Sequence, residues 1–147
     1  MQRTDAASLA VRAREALLRR NAVFEAFFRR EAPRLAEACH EMSRRFLAGG
    51  RLLAFGNGSA ATDAQHVSVE FVHPVIVGKR ALPALDLGPE FEERLPVVLE
   101  PEDMVMGFAF LGRDAAVERA LGFARERGAL TFALSGDEGE HRFEMPD

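Results

Sequence analysis

Residues 53–70 read LAFGNGSAATDAQHVSVE, and no other stretch says as much about the fold. This stretch begins in an apolar run and passes through the turn Gly56-Asn57-Gly58-Ser59. Helical spacing then begins at Ala60 and extends just beyond the stretch, to about Val72. A short apolar run followed at once by a glycine-bearing turn and a helix is typical of a buried strand in a βαβ unit. The stretch therefore predicts a parallel strand over 51–55, then a tight turn, then a helix.

The same pattern recurs toward the C-terminus. A second clear strand over 104–111 precedes Gly112-Arg113-Asp114 and an amphipathic helix that reaches about Arg127. The remaining predictions are a weak strand over 83–87, a loop with one helical turn over 89–103, a strand over 129–134, a turn at Ser135-Gly136-Asp137, and an edge strand over 143–145. Alternating strands and helices indicate an α/β fold, with a three-layer, doubly wound parallel sheet.

Residues 1–48 precede the first strand and read as helix. Their apolar residues recur at helical spacing in two stripes, Ala10-Ala13-Leu17-Phe24 and Leu35-Cys39-Met42-Phe46. Because Pro33 removes a backbone donor, it predicts a kink or a boundary between two helices, and we expect a helical hairpin. We expect one domain over 1–147, in which the N-terminal helices pack on the 51–147 α/β core or on a partner subunit.

Composition excludes several classes of protein. A net charge of −4 gives no electrostatic reason to expect a nucleic acid or an anionic membrane as partner. The single cysteine cannot form an intramolecular disulfide. No apolar run reaches the roughly 20 residues that span a bilayer, and no signal peptide is visible. We therefore expect a cytoplasmic globular protein.

Two features can carry chemistry. The turn Gly56-Asn57-Gly58-Ser59 lies where a parallel sheet binds ligands, and its backbone donors suit an anion, although glycines also simply make turns. On the next helix, His66 and Glu70 are four residues apart and share one face. Such a pair can ligate a metal, or the carboxylate can act as a base with the help of the imidazole. The alternative is that both residues belong to a solvated helix face.

The run from Leu53 to Glu70 resembles the sugar isomerase (SIS) family, and within it the phosphoheptose isomerases. Those proteins carry Gly-Asn-Gly-Gly-Ser and then Asp-Ala-Gln-His-x-x-x-Glu, which matches residues 63–70 here. The resemblance implies a flavodoxin-like fold, a sugar phosphate ligand, and aldose–ketose isomerisation of sedoheptulose 7-phosphate. It also implies a homodimer or homotetramer with sites between subunits.

The resemblance also assigns roles to residues. Substrate would contact six of them: Asn57, Gly58, Ser59, Glu70, Gly112 and Arg113. Glu70 would move the proton between C1 and C2, and His66 and Glu70 would bind zinc. The family's last helix, which supplies a glutamine and a histidine to the metal, has no counterpart before Asp147. We therefore expect an incomplete site that holds zinc weakly.

The sequence departs from the family at the loops that would hold the sugar. Ser59 and Ala60 stand where the family has glycine and serine, and the segment 86–103 is shorter. The loop Ser-Thr-Ser-Gly-Asn-Ser reads Ala-Phe-Leu-Gly-Arg-Asp over 109–114, with an arginine that could bind phosphate and an aspartate that would repel it. Three hypotheses follow: an active isomerase, a non-catalytic protein for sugar-phosphate sensing or protein interaction like the DnaA initiator-associating proteins, or a degenerate paralogue.

Overall fold

The structure is a computed structural model that describes residues 6–110, 112–136 and 138–144. Its elements in chain order are α1 (Ala6–Leu47), β1 (Leu52–Gly56), α2 (Ala60–Val72), β2 (Ala84–Asp86), α3 (Phe91–Val98), β3 (Met104–Phe108), α4 (Ala115–Glu126), β4 (Leu130–Leu134) and β5 (His141–Phe143). Among these residues, none of the helices is long and apolar enough to cross a membrane.

The strands form one five-stranded sheet in the order β2-β1-β3-β4-β5. Every neighbouring pair is parallel, and Leu52 of β1 lies opposite Ala84 on one side and Met104 on the other. All five residues of β1 are buried, as a central strand requires. The predicted α/β fold with a parallel sheet is therefore confirmed, and the strand order is the flavodoxin-like one.

Side chains alternate between the two faces of the sheet. Leu53, Phe55 and Val105 pack with residues of α3 and α4. Ala54 and Phe108 pack instead against the small residues of α2 on the opposite face. This period of two explains how strands that read as continuous apolar runs are covered on both faces by helices.

The two predicted N-terminal helices are a single helix, α1, which contains Pro33. The prediction of a hairpin was wrong because proline removes only one hydrogen bond, and the remaining bonds of a helix 42 residues long continue past it. The chain divides into two compact units, the first ending at Leu35 and the second beginning at Ala36. In the first, Phe24 and Phe27 both pack against Phe28.

In the second unit, residues 36–47 of α1 contact the α/β core. The ring of Phe46 stacks on Phe71 of α2, with centroids 5.6 Å apart. The Arg45 guanidinium donates hydrogen bonds to the backbone carbonyls of Pro101 and Gly128. These contacts place the end of α1 beside the loops that precede β3 and β4.

The segment 89–103 differs from the predicted loop, because it contains the two-turn helix α3. Phe91 and Leu95 lie on one face of that helix and are almost fully buried, and the Phe91 ring stacks on Phe55 with centroids 4.6 Å apart. This burial outweighs the proline and the acidic residues that favoured a loop. Strand β5 confirms an edge strand two residues earlier than predicted, while Leu111, Asp137 and Met145 of the predicted elements lie outside the described residues.

Candidate active site

The carboxyl ends of β1 and β3 form the switch point of the sheet. The chain leaves β1 toward β2 on one side and leaves β3 toward β4 on the other, and open α/β sheets bind ligands at such a point. The first loop is the predicted turn with Asn57, and the second runs from Ala109 to Asp114. The Asn57 side-chain amide donates to both carboxylate oxygens of Asp114, at 3.2 and 3.1 Å.

The turn after β1 needs glycine at its start. A Cβ atom at Gly56 would lie 2.8 Å from the carbonyl oxygen of Ala60 and 2.9 Å from that of Phe108, both backbone atoms. Gly58 has φ +55°, a left-handed conformation that glycine adopts readily. Asn57, Gly58 and Ser59 are exposed, and the Ser59 side chain makes no capping hydrogen bond to α2. The predicted substrate-binding residues thus face solvent at the carboxyl edge.

Asp114 is the N-cap residue of α4. Its Oδ1 atom accepts hydrogen bonds from the backbone amides of Ala116 and Val117, at 2.9 and 3.1 Å. Burial by itself would raise the pKa of the Asp114 carboxyl, but the amide of Val117, the side chain of Asn57 and the amide of Ala116 hold that pKa below its ordinary value. The carboxylate is therefore charged at neutral pH.

The other predicted residues of this loop lie beside Asp114. Gly112 has φ +109°, and outside its two chain neighbours nothing lies within 4 Å of the Cβ that a substitution would add. The Arg113 guanidinium forms an ion pair with Glu118 of α4, at 3.1 Å, and its side chain is exposed. The structure thus brings Gly112, Arg113 and Asn57 to one end of the sheet, as the strand order requires.

His66 and Glu70 lie on the outer face of α2. The residues of α2 that face the sheet are Ala60, Ala64 and Ser68, whereas both predicted chemical residues are exposed. His66 Nε2 lies 3.3 Å from Glu70 Oε1. Glu70 comes ten residues after Ala60, which is about 15 Å along the helix axis from the turn. Within one chain, the pair is therefore separate from the switch point.

The pair does not form a zinc site by itself. No group of three His, Cys, Asp or Glu side chains in the described parts of the chain is arranged to hold a metal ion. His141 is engaged elsewhere, 2.9 Å from Glu41 and stacked on Phe132. Catalytic zinc usually has three protein ligands, so His66 and Glu70 fall one short. The described residues therefore do not fit a resident zinc ion.

Sequence reasoning missed the capping role of Asp114 and its bond to Asn57. A local signal for the cap was present, since an aspartate directly before the periodic segment 115–126 is a typical helix start. The bond to Asn57 joins residues 57 positions apart. Only the pairing of β1 with β3 brings those residues together.

Comparison with known proteins gives relatives for both sequence and fold. No family model matches the chain. A phosphoheptose isomerase from Pelobacter propionicus is 32% identical over 136 residues, which cover 82% of this chain and 72% of that relative. A phosphoheptose isomerase from Neisseria gonorrhoeae has a similar structure, with a TM-score of 0.74 and 22% identity over 90% of this chain and 77% of its own.

A third comparison is the solved structure of a phosphoheptose isomerase from Francisella tularensis. The match covers 90% of this chain and 86% of that one, with a TM-score of 0.68 and 19% identity. The likeness at such low identity concerns the fold alone, which is the flavodoxin-like sheet described above. The sequence relationship is what identifies the family: at 32% identity over most of both chains, this protein belongs to the phosphoheptose isomerase family.

Proposed function

We propose that the protein catalyses aldose–ketose isomerisation of a sugar phosphate, sedoheptulose 7-phosphate, with Glu70 as the base. One observation carries the proposal. The segment Asp-Ala-Gln-His-x-x-x-Glu is intact at residues 63–70, and His66 and Glu70 lie side by side on the open face of α2. A carboxylate next to an imidazole is the pair of groups that proton transfer between carbon and oxygen requires.

The chemistry uses only these two side chains. The Glu70 carboxylate removes a proton from C1 of the ketose, and the electron pair forms the C1–C2 double bond of an enediol. His66 passes a proton to the C2 oxygen and later takes one from the C1 oxygen. Glu70 then returns its proton to C2, which leaves the aldehyde at C1. General acid–base catalysis of this kind contributes about 10²–10⁴ in rate.

Asn57, Gly58 and Ser59 bind the sugar at the end away from the reacting carbons in this proposal, together with Gly112 and Arg113. Side chains on a helix tilt toward its N-terminus, so Glu70 reaches back toward the turn. An extended seven-carbon chain is suited to two groups of contacts that lie far apart along α2. The relatives named phosphoheptose isomerase support a phosphorylated heptose as the ligand.

We propose further that the protein is a homodimer or homotetramer whose sites lie between subunits. Leu17, Phe24 and Phe28 of α1 are 54%, 43% and 51% exposed. They lie within about 40° of one another around the helix, since each residue advances about 100°. A contiguous apolar stripe of this kind is typical of an association surface.

Zinc is a separate prediction, and the proposed proton transfers by Glu70 and His66 do not depend on it. An imidazole and a carboxylate are ligands that zinc takes, but two protein ligands would hold the ion weakly. Titration of the purified protein with zinc, followed by calorimetry, checks this with Glu70→Gln as the comparison. We also propose a cytoplasmic location, because the single cysteine, the exposed Cys39, is typical of a reducing compartment.

A second candidate function is binding without catalysis, in sugar-phosphate sensing or protein interaction. The observation that favours its protein-interaction branch is the Asp114 carboxylate, which lies at the N-terminus of α4 where a phosphate would otherwise be favoured. A binding protein needs no base at Glu70. The two functions therefore differ in what the removal of Glu70 does to turnover and to binding.

The test is an isomerase assay with sedoheptulose 7-phosphate on the wild type and on Glu70→Gln. We expect the variant to lose at least about 100-fold in kcat, with little change in the melting temperature. Glu93→Gln is the matched control, because Glu93 is an exposed residue of α3, and it should keep full activity. Equal turnover by Glu70→Gln and wild type would overturn the isomerase proposal, and ligand binding without turnover in the wild type would establish the second function.

A further inference from the structure

Phe110 is an aromatic residue without a partner, in the loop that follows β3. The chain has twelve phenylalanines, and all except Phe110 are buried or lie against another ring or a guanidinium. Phe110 is 65% exposed, and no ring or guanidinium in the described parts of the chain lies against it. Single exposed apolar residues are common on protein surfaces, and what distinguishes Phe110 is its position.

The chain contacts the turn after β1 both before and after Phe110. Before it, the backbone of β3 lies close to that turn, because a Cβ atom at Gly56 would lie 2.9 Å from the carbonyl oxygen of Phe108. After it, the Asp114 carboxylate accepts hydrogen bonds from the Asn57 side chain at 3.2 and 3.1 Å. Phe110 therefore belongs to the switch point, where open α/β sheets bind ligands.

We propose that Phe110 is a substrate-binding residue whose ring packs against the C–H groups of the sugar's carbon chain. A sugar has apolar C–H patches between its hydroxyl groups, and contact with an aromatic ring removes such patches from water. Small-molecule sites combine aromatic side chains with a few polar groups that fix orientation, and Asn57 and Ser59 are exposed polar residues of the same site. The inference rests on the proposed function, because it takes the ligand to be the sugar phosphate. It adds an apolar contact to the polar contacts proposed above.

The first experiment removes the ring and measures steady-state kinetics with sedoheptulose 7-phosphate. Because the side chain is exposed, Phe110→Ala should keep the melting temperature within about 2 °C of the wild type. We expect KM to rise about 10-fold and kcat to stay within about twofold, since the lost contact binds substrate and transition state alike. Phe110→Tyr keeps the ring and should keep KM within about twofold. Val97→Ala is the matched control on α3, where Val97 is 82% exposed, and it should leave KM unchanged.

The second experiment reads the contact without turnover, because the chain contains no tryptophan and no tyrosine. Phe110→Trp therefore introduces a single fluorescent reporter at the switch point. Val97→Trp introduces one at the other end of the strands, since the next residue, Val98, accepts a hydrogen bond from Arg51, which directly precedes β1. We expect sedoheptulose 7-phosphate to cause a saturable change in the emission of Phe110→Trp and none in that of Val97→Trp. Equal changes in both variants would show a general conformational effect and overturn the assignment to Phe110.

Three further outcomes separate this inference from the proposed function. If the wild type isomerises sedoheptulose 7-phosphate while Phe110→Ala keeps its KM and Phe110→Trp shows no change in emission, the inference fails and the proposed function stands. If the wild type does not isomerise that sugar while the emission of Phe110→Trp changes saturably, the inference holds and the proposed function fails. If Phe110→Ala lowers the molar mass in light scattering and leaves KM unchanged, Phe110 belongs to a contact between subunits, which also overturns the inference.

Discussion

The Asp103 carboxylate joins the amino ends of β1 and β3. It accepts hydrogen bonds from the Arg51 guanidinium at 3.1 and 2.6 Å, from the Arg51 amide at 2.9 Å, and from the Glu100 amide at 3.1 Å. Burial alone would raise the pKa of the Asp103 carboxyl, but these donors outweigh it and hold that pKa below its ordinary value. The native state therefore depends on the ionised form of this residue.

A pH dependence of stability follows from this pKa. Because the folded pKa lies below the unfolded one, Asp103 stabilises the fold above its ordinary pKa of about 4, and this contribution is lost as the pH falls through the folded value. Asp103→Asn should lower the free energy of unfolding by about 1.5–3 kcal/mol at pH 7. Urea unfolding at pH 7, 5, 4 and 3 should show the difference from wild type shrinking toward acid.

The control is Glu102→Gln, which removes the neighbouring exposed carboxylate. It should change the free energy of unfolding by less than about 0.5 kcal/mol at pH 7. A constant difference between Asp103→Asn and wild type across the pH range would contradict the role of ionisation. In that case the side chain would contribute through its shape and neutral hydrogen bonds.

The contact between β3 and α4 depends on a glycine. A Cβ atom at Gly107 would lie 2.8 Å from Val117 Cγ1 and 3.0 Å from Leu121 Cδ1. Both side chains are 1% exposed, so neither has free space to move into. Gly107→Ala should therefore destabilise the fold by about 1–3 kcal/mol, as overpacking of a core does. Urea unfolding at neutral pH measures this value.

Gly122 provides the matched substitution on the same helix. Nothing lies within 4 Å of the Cβ that Gly122→Ala would add, and its backbone is helical. Alanine in the interior of a helix is favoured over glycine, so this variant should stabilise the fold by about 0.5–1 kcal/mol. Opposite signs for the two glycine-to-alanine changes are the expected result, and equal effects would show that the close approach at Gly107 is unimportant.

The proposed oligomer depends on the apolar stripe of α1. Leu17 lies in that stripe, while its neighbour Leu18 points about 100° away around the helix. The two leucines are 54% and 57% exposed, so they differ in face and not in exposure. Leu17→Gln should shift the protein toward the 16.2 kDa monomer, whereas Leu18→Gln should not.

Sedimentation equilibrium or light scattering measures the molar mass of both variants at several concentrations. If both leucine variants keep the assembly of the wild type, the stripe does not form the interface. If the wild type itself is a monomer at every concentration, the proposal of sites between subunits fails. Loss of assembly with Leu18→Gln alone would place the interface on another face of α1.

Local elements could be predicted from the sequence wherever apolar periodicity was strong. Apolar runs such as Leu52 to Phe55 predict the strands β1, β3 and β4. Helical spacing after glycine-bearing turns predicts the helices α2 and α4. The predicted helical hairpin was wrong because Pro33 does not interrupt α1. The predicted loop was wrong at α3 because the buried face of that helix outweighs its proline and its charges. The turn with Asn57 was also predicted, because glycine-bearing turns after buried strands have few alternatives.

Which residues meet is known only from the three-dimensional fold. Asn57 and Asp114 share hydrogen bonds because β1 and β3 are neighbours in a parallel sheet, and strand order is not encoded in any local pattern. Arg51 and Asp103 also meet because β1 and β3 are neighbours, and they form hydrogen bonds at the amino ends of those two strands. Sequence spacing set His66 beside Glu70, whereas the distance of that pair from the switch point follows from the length of α2. Local chemistry depends on neighbours in sequence, but a site depends on how strands pair, and pairing is a property of the whole fold.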